Sequence, residues 1–307
     1  MLSIGIDIGA SKILGIVYDS RRKKIARLHI AQTEGPRSAV AMAEKLILEH
    51  RMTGKGNIPT GIAIAGVVKN NTVVRAANMK GWNGINLKAA FRHFDISVFR
   101  HIDISRFRVE NDAQCFGYAE SLIGYGKNKE SAVFLTLGSG IGGAILLNGS
   151  FYRGAHGSAG EVGHTVAKFV PSKVEGRNSK FETLEWEYLA AKRFFAAHGV
   201  DDPKELEDKA RKGNKKALNM YREFGVNLGV GLANIINTLD PEIIILGGGL
   251  AHTYDLFIAP ARQTIKRFVV NPAASRTKIV KSKIAWQGAA IGAALMAINR
   301  VGGKLTA

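Results

Sequence analysis

Apolar and polar positions alternate at the start of the chain. Ile4, Ile6 and Ile8 are interleaved with Gly5, Asp7 and Gly9, and Leu14, Ile16 and Tyr18 resume the pattern after a polar break. A period of two predicts a strand, a tight turn at Gly9-Ala10-Ser11-Lys12 and a second strand. Ile25–Thr33 continues as a third strand. Ser131–Leu147, SAVFLTLGSGIGGAILL, repeats the sequence of strand, Gly/Ser turn and strand, and this echo predicts two related lobes facing each other.

Between the hairpins, Val40, Ala43, Leu46 and Ile47 fall at helical spacing within Ala39–Arg51. Thr60–Val68 is a continuous apolar run, read as a buried central strand ending in a turn at Ala65-Gly66. Val73–Ala77 and Phe107–Val109 read as strands, Asn78–Trp82 as a loop, and Leu87–Phe94 and Ala113–Leu122 as helices. Beyond the second hairpin, Gly154–His164 is a Gly-rich loop and Phe169–Phe181 a polar, basic and mobile stretch. Thr183–His198 reads as a helix, Asp202–Asn214 as an exposed charged helix and turn, and Ala217–Leu239 as a long helix. Ile243–Leu246 is a buried strand running into Gly247-Gly248-Gly249 and a following helix, and Gly288–Asn299 is a final helix rich in small residues. Strands alternating with helices place the chain in the α/β class.

With 307 residues, 46% of them hydrophobic, the chain can bury the cores of two domains. No apolar run reaches the length of a membrane span, and MLSIGID carries no basic signal-peptide region, so no membrane association is expected. Cys115 is the single cysteine, which excludes an intrachain disulfide and a multi-thiolate zinc site and points to a reducing cytoplasm. The net charge of +18 suits polyanionic partners. Its densest groups, Arg21–Lys24, Arg92–Arg108 and Lys209–Lys216, are not interleaved with aromatics as a single-strand nucleic-acid platform would be.

Both hairpin turns carry glycine, which admits close backbone approach, and donors: Ser11 and Lys12 in one, Ser139 in the other. A polyphosphate is the natural ligand between two such turns; two ordinary β-hairpins are the alternative. Asp7, at the mouth of the first strand, could hold a cation beside a phosphate. Ligands of open α/β sheets gather outside the carboxyl ends of strands, where Gly66, Asn78, Asn111 and Asp112 would lie. Asp112 can cap the helix that follows it, or accept a proton from a substrate hydroxyl. Glu161, His164 and Glu185 could bind a metal with further ligands, or the vicinal hydroxyls of a sugar, or be incidental polar residues of a loop.

These residues resemble the ROK family (repressor, open reading frame, kinase), and the resemblance covers nearly the whole chain. Asp7-Ile8-Gly9-Ala10-Ser11-Lys12 resembles its first phosphate loop, and Leu137–Gly143 its second. Ala65-Gly66 falls at its sugar loop, Ala77-Asn78-Met79 with Gly81-Trp82 at its Asn-containing sugar segment, and Gly160–His164 at its GExGH motif. Glu110-Asn111-Asp112-Ala113 resembles its END-A motif, and Leu246–Gly249 its adenosine motif.

The resemblance implies an actin-like, ribonuclease H-like sugar-kinase fold with two lobes and a cleft between them: residues 1–112 with 290–307, and 113–289. It implies an ATP-dependent kinase for a hexose hydroxyl, foremost the 6-hydroxyl of glucose. Asp112 would be the catalytic base, and Gly66, Asn78, Asn111, Asp112, Glu161, His164 and Glu185 would hold the sugar. Gly9, Ser11, Lys12, Gly138, Ser139 and Gly140 would surround the phosphates, Gly247, Gly248 and Gly249 the nucleoside, and Asp7 would position Mg²⁺ through water. The family's cysteine zinc motif is missing: Phe169–Glu185 has no cysteine, so no zinc site is expected, while Thr183-Leu184-Glu185 keeps the Glu. The alternatives are an N-acetylglucosamine or N-acetylmannosamine kinase, a polyphosphate-dependent glucokinase and a non-catalytic sugar-sensing regulator. The chain starts at its first strand, so no DNA-binding segment is expected, and a homodimer is implied.

Overall fold

The computed structural model describes residues 1–49, 57–76, 78–94, 100–171, 181–200 and 202–299. Ala77 of the Asn-containing motif, the end of the helix expected over Ala39–Arg51, and the middle of the basic stretch at 172–180 lie outside the described residues. In chain order the elements of the first half are β1 (Leu2–Ile8), β2 (Lys12–Asp19), β3 (Lys24–Gln32), α1 (Pro36–Glu49), β4 (Thr60–Ile64), β5 (Val67–Lys69), β6 (Thr72–Arg75), α2 (Leu87–Phe94), β7 (Arg108–Asn111) and α3 (Asp112–Ile123). Then follow β8 (Ala132–Leu137), β9 (Ile141–Leu147), β10 (Ser150–Tyr152), β11 (Val166–Pro171), β12 (Phe181–Glu185), α4 (Trp186–Ala190), α5 (Lys192–Ala197), α6 (Pro203–Arg211) and α7 (Lys215–Leu239). The last are β13 (Ile243–Gly247), α8 (Tyr254–Phe268), β14 (Lys278–Lys281) and α9 (Gly288–Ile298).

The chain forms two compact units, Met1–Lys129 with Gly149–Ser158 and Lys283–Ala307, and Glu130–Asn148 with Ala159–Ser282. In the first, a sheet of order β3-β2-β1-β4-β7 is antiparallel over β1, β2 and β3 and parallel over β1, β4 and β7. The alternation read from the sequence is the reason: Ile4, Ile6 and Ile8 are fully buried in one apolar cluster with Val40, Ala43, Leu46 and Ile47 of α1. Leu14, Ile16 and Tyr18 bury the other face with α3 and α9. In the second unit, β9, β8, β13 and β14 lie side by side, β9 antiparallel to β8 and the others parallel. Each unit thus repeats a hairpin joined to parallel strands.

The units divide the chain differently from the lobes expected at 112/113 and 289/290. Helix α3 belongs to the first unit because it packs on α9, and α9 packs on β1 and β4, at backbone distance. A Cβ added at Gly292 would lie 1.7 Å from the Cys115 carbonyl oxygen, and one at Gly61 would lie 1.9 Å from that of Ala293. Small residues on α9 therefore set the depth of this layer.

The helix expected over Thr183–His198 is instead a strand and two short helices. β12 pairs antiparallel with β11, so Phe169–Pro171, expected to be mobile, lies in a strand. The run Thr60–Val68 is two strands, because the chain turns at Ala65-Gly66 and β5 pairs with β6.

Candidate active site

The first unit gathers Asp7, Gly66, Asn111 and Asp112. β4 pairs with β1 and with β7, which brings Asp7, Gly66 and Asn111 to one end of the sheet. Asn111 is the N-cap of α3: its Oδ1 accepts the Gln114 N–H at 3.1 Å, and its Nδ2 donates to the Gly66 carbonyl at 3.1 Å. Of the two roles open to Asp112, capping thus falls to its neighbour. Asp112 is the first residue of α3, half-buried, where the helix dipole favours a carboxylate, and its Oδ1 accepts the Ala113 N–H at 2.9 Å.

Asp7 is also half-buried. Burial, and then the charge of Asp112, push its pKa up to about 7. Two carboxylates converging in a poorly solvated place are the donor set that a hard divalent cation suits. The turn after β1 is tied down by the Gly9 N–H donating to the Lys12 carbonyl at 2.9 Å. Thr33, which the sequence did not single out, donates Oγ1 to the Gly9 carbonyl at 2.8 Å and its N–H to that of Ser11 at 3.2 Å. Ser11 and Lys12 are exposed. Asn78 is exposed in the turn after β6.

The second unit gathers the remaining candidates in two groups. The Gly138 N–H donates to the Gly140 carbonyl at 3.0 Å, closing the second hairpin, and Ser139 at its tip is exposed. Gly248 has φ +81, and a Cβ there would stand 2.5 Å from the Leu137 carbonyl oxygen. Only glycine permits both the dihedral and the approach, so the turn Gly247–Gly249 lies against the base of the Gly138–Gly140 hairpin. Gly249 is exposed, with nothing within 4 Å of its Cβ direction.

The other group is His164, Glu161 and Glu185. His164 Nδ1 lies 2.9 Å from Glu185 Oε2, and Nε2 lies 3.9 Å from Glu161 Oε2. The hydrogen bond to Glu185 is the main cause that raises the His164 pKa above the ordinary imidazole value. Glu185 holds its place because β12 pairs Glu185 with Val166 of β11. Glu187, missed in the sequence, brings a third ligand atom within 4.8 Å of those of His164 and Glu185. Its signal was a position two residues beyond Glu185. It is buried, however, with Oε1 2.5 Å from Arg193 Nη1 and Oε2 accepting the Ile141 N–H at 3.4 Å. A carboxylate already neutralised by a guanidinium is a poor cation ligand, so His164 and Glu185 read as hydrogen-bonding groups.

Comparison with known proteins bears on both units. The sequence profile of the ROK family matches residues 3–300. A glucokinase of Streptomyces coelicolor is 30% identical over 295 residues, covering 88% of this chain and 88% of its own. A xylose repressor of Bacillus spizizenii is 26% identical over 304 residues, covering 97% of this chain and 77% of its own. Among solved structures, a ROK family glucokinase from Streptomyces griseus in complex with glucose and AMPPNP superimposes with a TM-score of 0.77 at 25% identity, covering 98% of this chain and 100% of its own. The two related sheets are those of the actin-like fold that the ROK sugar kinases share. Profile, relatives and fold agree, and this chain belongs to the ROK family.

Proposed function

We propose that the chain is an ATP-dependent hexose kinase of the cytoplasm that phosphorylates a sugar hydroxyl, foremost the 6-hydroxyl of glucose. The observation that carries the reading is the placement of Asp112, half-buried at the start of α3, beside Asp7 and relieved of capping by Asn111. The Asp112 carboxylate takes the hydroxyl proton as the sugar oxygen attacks the γ-phosphorus of ATP. The new O–P bond forms, the bond to the β-phosphate oxygen breaks, and ADP leaves. Such a transfer needs positioning and charge neutralisation more than covalent help.

Gly66, Asn78, Asn111, Glu161, His164 and Glu185 are the groups we assign to sugar hydroxyls. Gly9, Ser11, Lys12, Gly138, Ser139 and Gly140 serve the phosphates, and Gly247–Gly249 the nucleoside. Mg²⁺, held by Asp7 through water, would neutralise phosphate charge. The Streptomyces griseus glucokinase, described with glucose and AMPPNP, supports this choice of sugar and donor.

A second reading is a sugar-responsive regulator without turnover. The similarity to the Bacillus spizizenii xylose repressor along nearly the whole chain favours it. A panel of glucose, mannose, fructose, xylose, N-acetylglucosamine and N-acetylmannosamine, crossed with ATP and polyphosphate, separates the readings. The kinase reading expects ATP consumption that depends on a hexose. Sugar binding with no donor consumed would establish the regulator.

A further inference from the structure

The strand that leads into Asp112 carries another carboxylate, and its partner comes from far along the chain. Glu110 is only 8% exposed. Its Oε1 accepts the backbone N–H of Asn111 at 2.9 Å, and its Oε2 is paired with Nη1 of Arg153. Arg153 lies on Gly149–Ser158, the segment after β9 that packs within the first unit. On the same segment, Phe151 sets its ring 6.1 Å from that of Tyr118 in α3. The segment is therefore fastened to β7 by one residue and to α3 by another, on either side of the junction that presents Asn111 and Asp112.

The charge balance there is uneven. Burial and then the carboxylates of Glu110, Asp7 and Asp112 push the Cys115 thiol well up, and the Arg153 guanidinium acts against them. A buried carboxylate that loses its cation is far less stable than the pair was. Without Arg153, Glu110 would turn towards water and release the Asn111 N–H. Small misplacements of a reacting group lower rates by large factors.

Resting on the kinase reading above, we propose that Arg153 is a positioning residue for phosphoryl transfer. Its guanidinium fixes Glu110, Glu110 fixes the backbone of Asn111, and that backbone sets the side chains of Asn111 and Asp112. The test is steady-state kinetics on wild type, Arg153→Met, Arg153→Lys and the double variant Arg153→Met/Glu110→Gln, with glucose and ATP, normalised to folded protein by circular dichroism. Arg153→Met should lower kcat about tenfold or more and leave the KM for ATP within about twofold. Arg153→Lys, which keeps a cation, should recover part of the loss. Adding Glu110→Gln should also recover kcat, because the amide oxygen still accepts the Asn111 N–H and needs no cation.

A kcat per folded molecule within about twofold of wild type in Arg153→Met would overturn the role and leave Arg153 a structural tie. A double variant no faster than Arg153→Met would overturn it too. Should Arg153→Met not fold, Arg153→Gln takes its place in both comparisons. Wild type inactive on every sugar removes the kinase reading and this role with it; an active wild type with indifferent Arg153 variants removes this role alone.

Discussion

The carboxyl of Asp7, at the end of β1, shares its surroundings with that of Asp112, at the start of α3, and burial together with the Asp112 charge holds the Asp7 pKa at about 7. In the unfolded chain the same group would titrate near 3.8. The fold thus binds this proton more tightly than the unfolded chain does. The stability linked to it is complete below pH 3.8 and is lost as pH rises through about 7.

Asp7→Asn mimics the protonated group and removes that loss. Without metal, the Tm of Asp7→Asn relative to wild type should climb as pH is taken from about 4 to about 8, and added Mg²⁺ should narrow the gap by favouring the wild-type carboxylate. Thermal melts at several pH values, with and without Mg²⁺, check this. A difference that stays flat with pH would show that the Asp7 carboxyl does not carry the raised pKa described.

His164 should titrate above the ordinary imidazole value, because Glu185 accepts from Nδ1 at 2.9 Å. Glu185→Gln removes the charge and should bring the His164 pKa down, readable in the imidazole resonances of a pH titration by NMR. On the kinase reading the same variant raises the KM for sugar. An unshifted His164 would mean that the pair is not formed in solution.

Gly292 meets the Cys115 carbonyl where α9 crosses α3, and a Cβ there has no room. Gly292→Val should destabilise the first unit by about 2–3 kcal/mol or more, since overpacking forces the helices apart. Urea unfolding measures it. A midpoint unchanged from wild type would contradict the packing of α9 on α3.

Much of this fold was legible because strand alternation and burial are one fact: Ile4, Ile6 and Ile8 could face only a core. Asp7 and the two glycine hairpins were legible for the same reason, since a turn's place follows from its strands. Pairing between distant segments was not. β11 and β12 form a two-stranded ribbon whose residues alternate weakly, and the helix expected over Thr183–His198 runs across the end of β12. Asn111 outcompeted Asp112 as cap because its amide also donates to Gly66, a contact set by the register of β4 with β7. The bonds from Thr33 to the first turn depend on tertiary folding in the same way.

The most direct measurement is turnover and sugar affinity of Asp112→Asn beside wild type, the first by coupled assay of ADP release and the second by calorimetry. In Asp112→Asn, kcat should fall about a hundredfold or more with sugar affinity within a few-fold of wild type, because the amide keeps its hydrogen bonds and cannot take the proton. Near wild-type turnover in Asp112→Asn would contradict it.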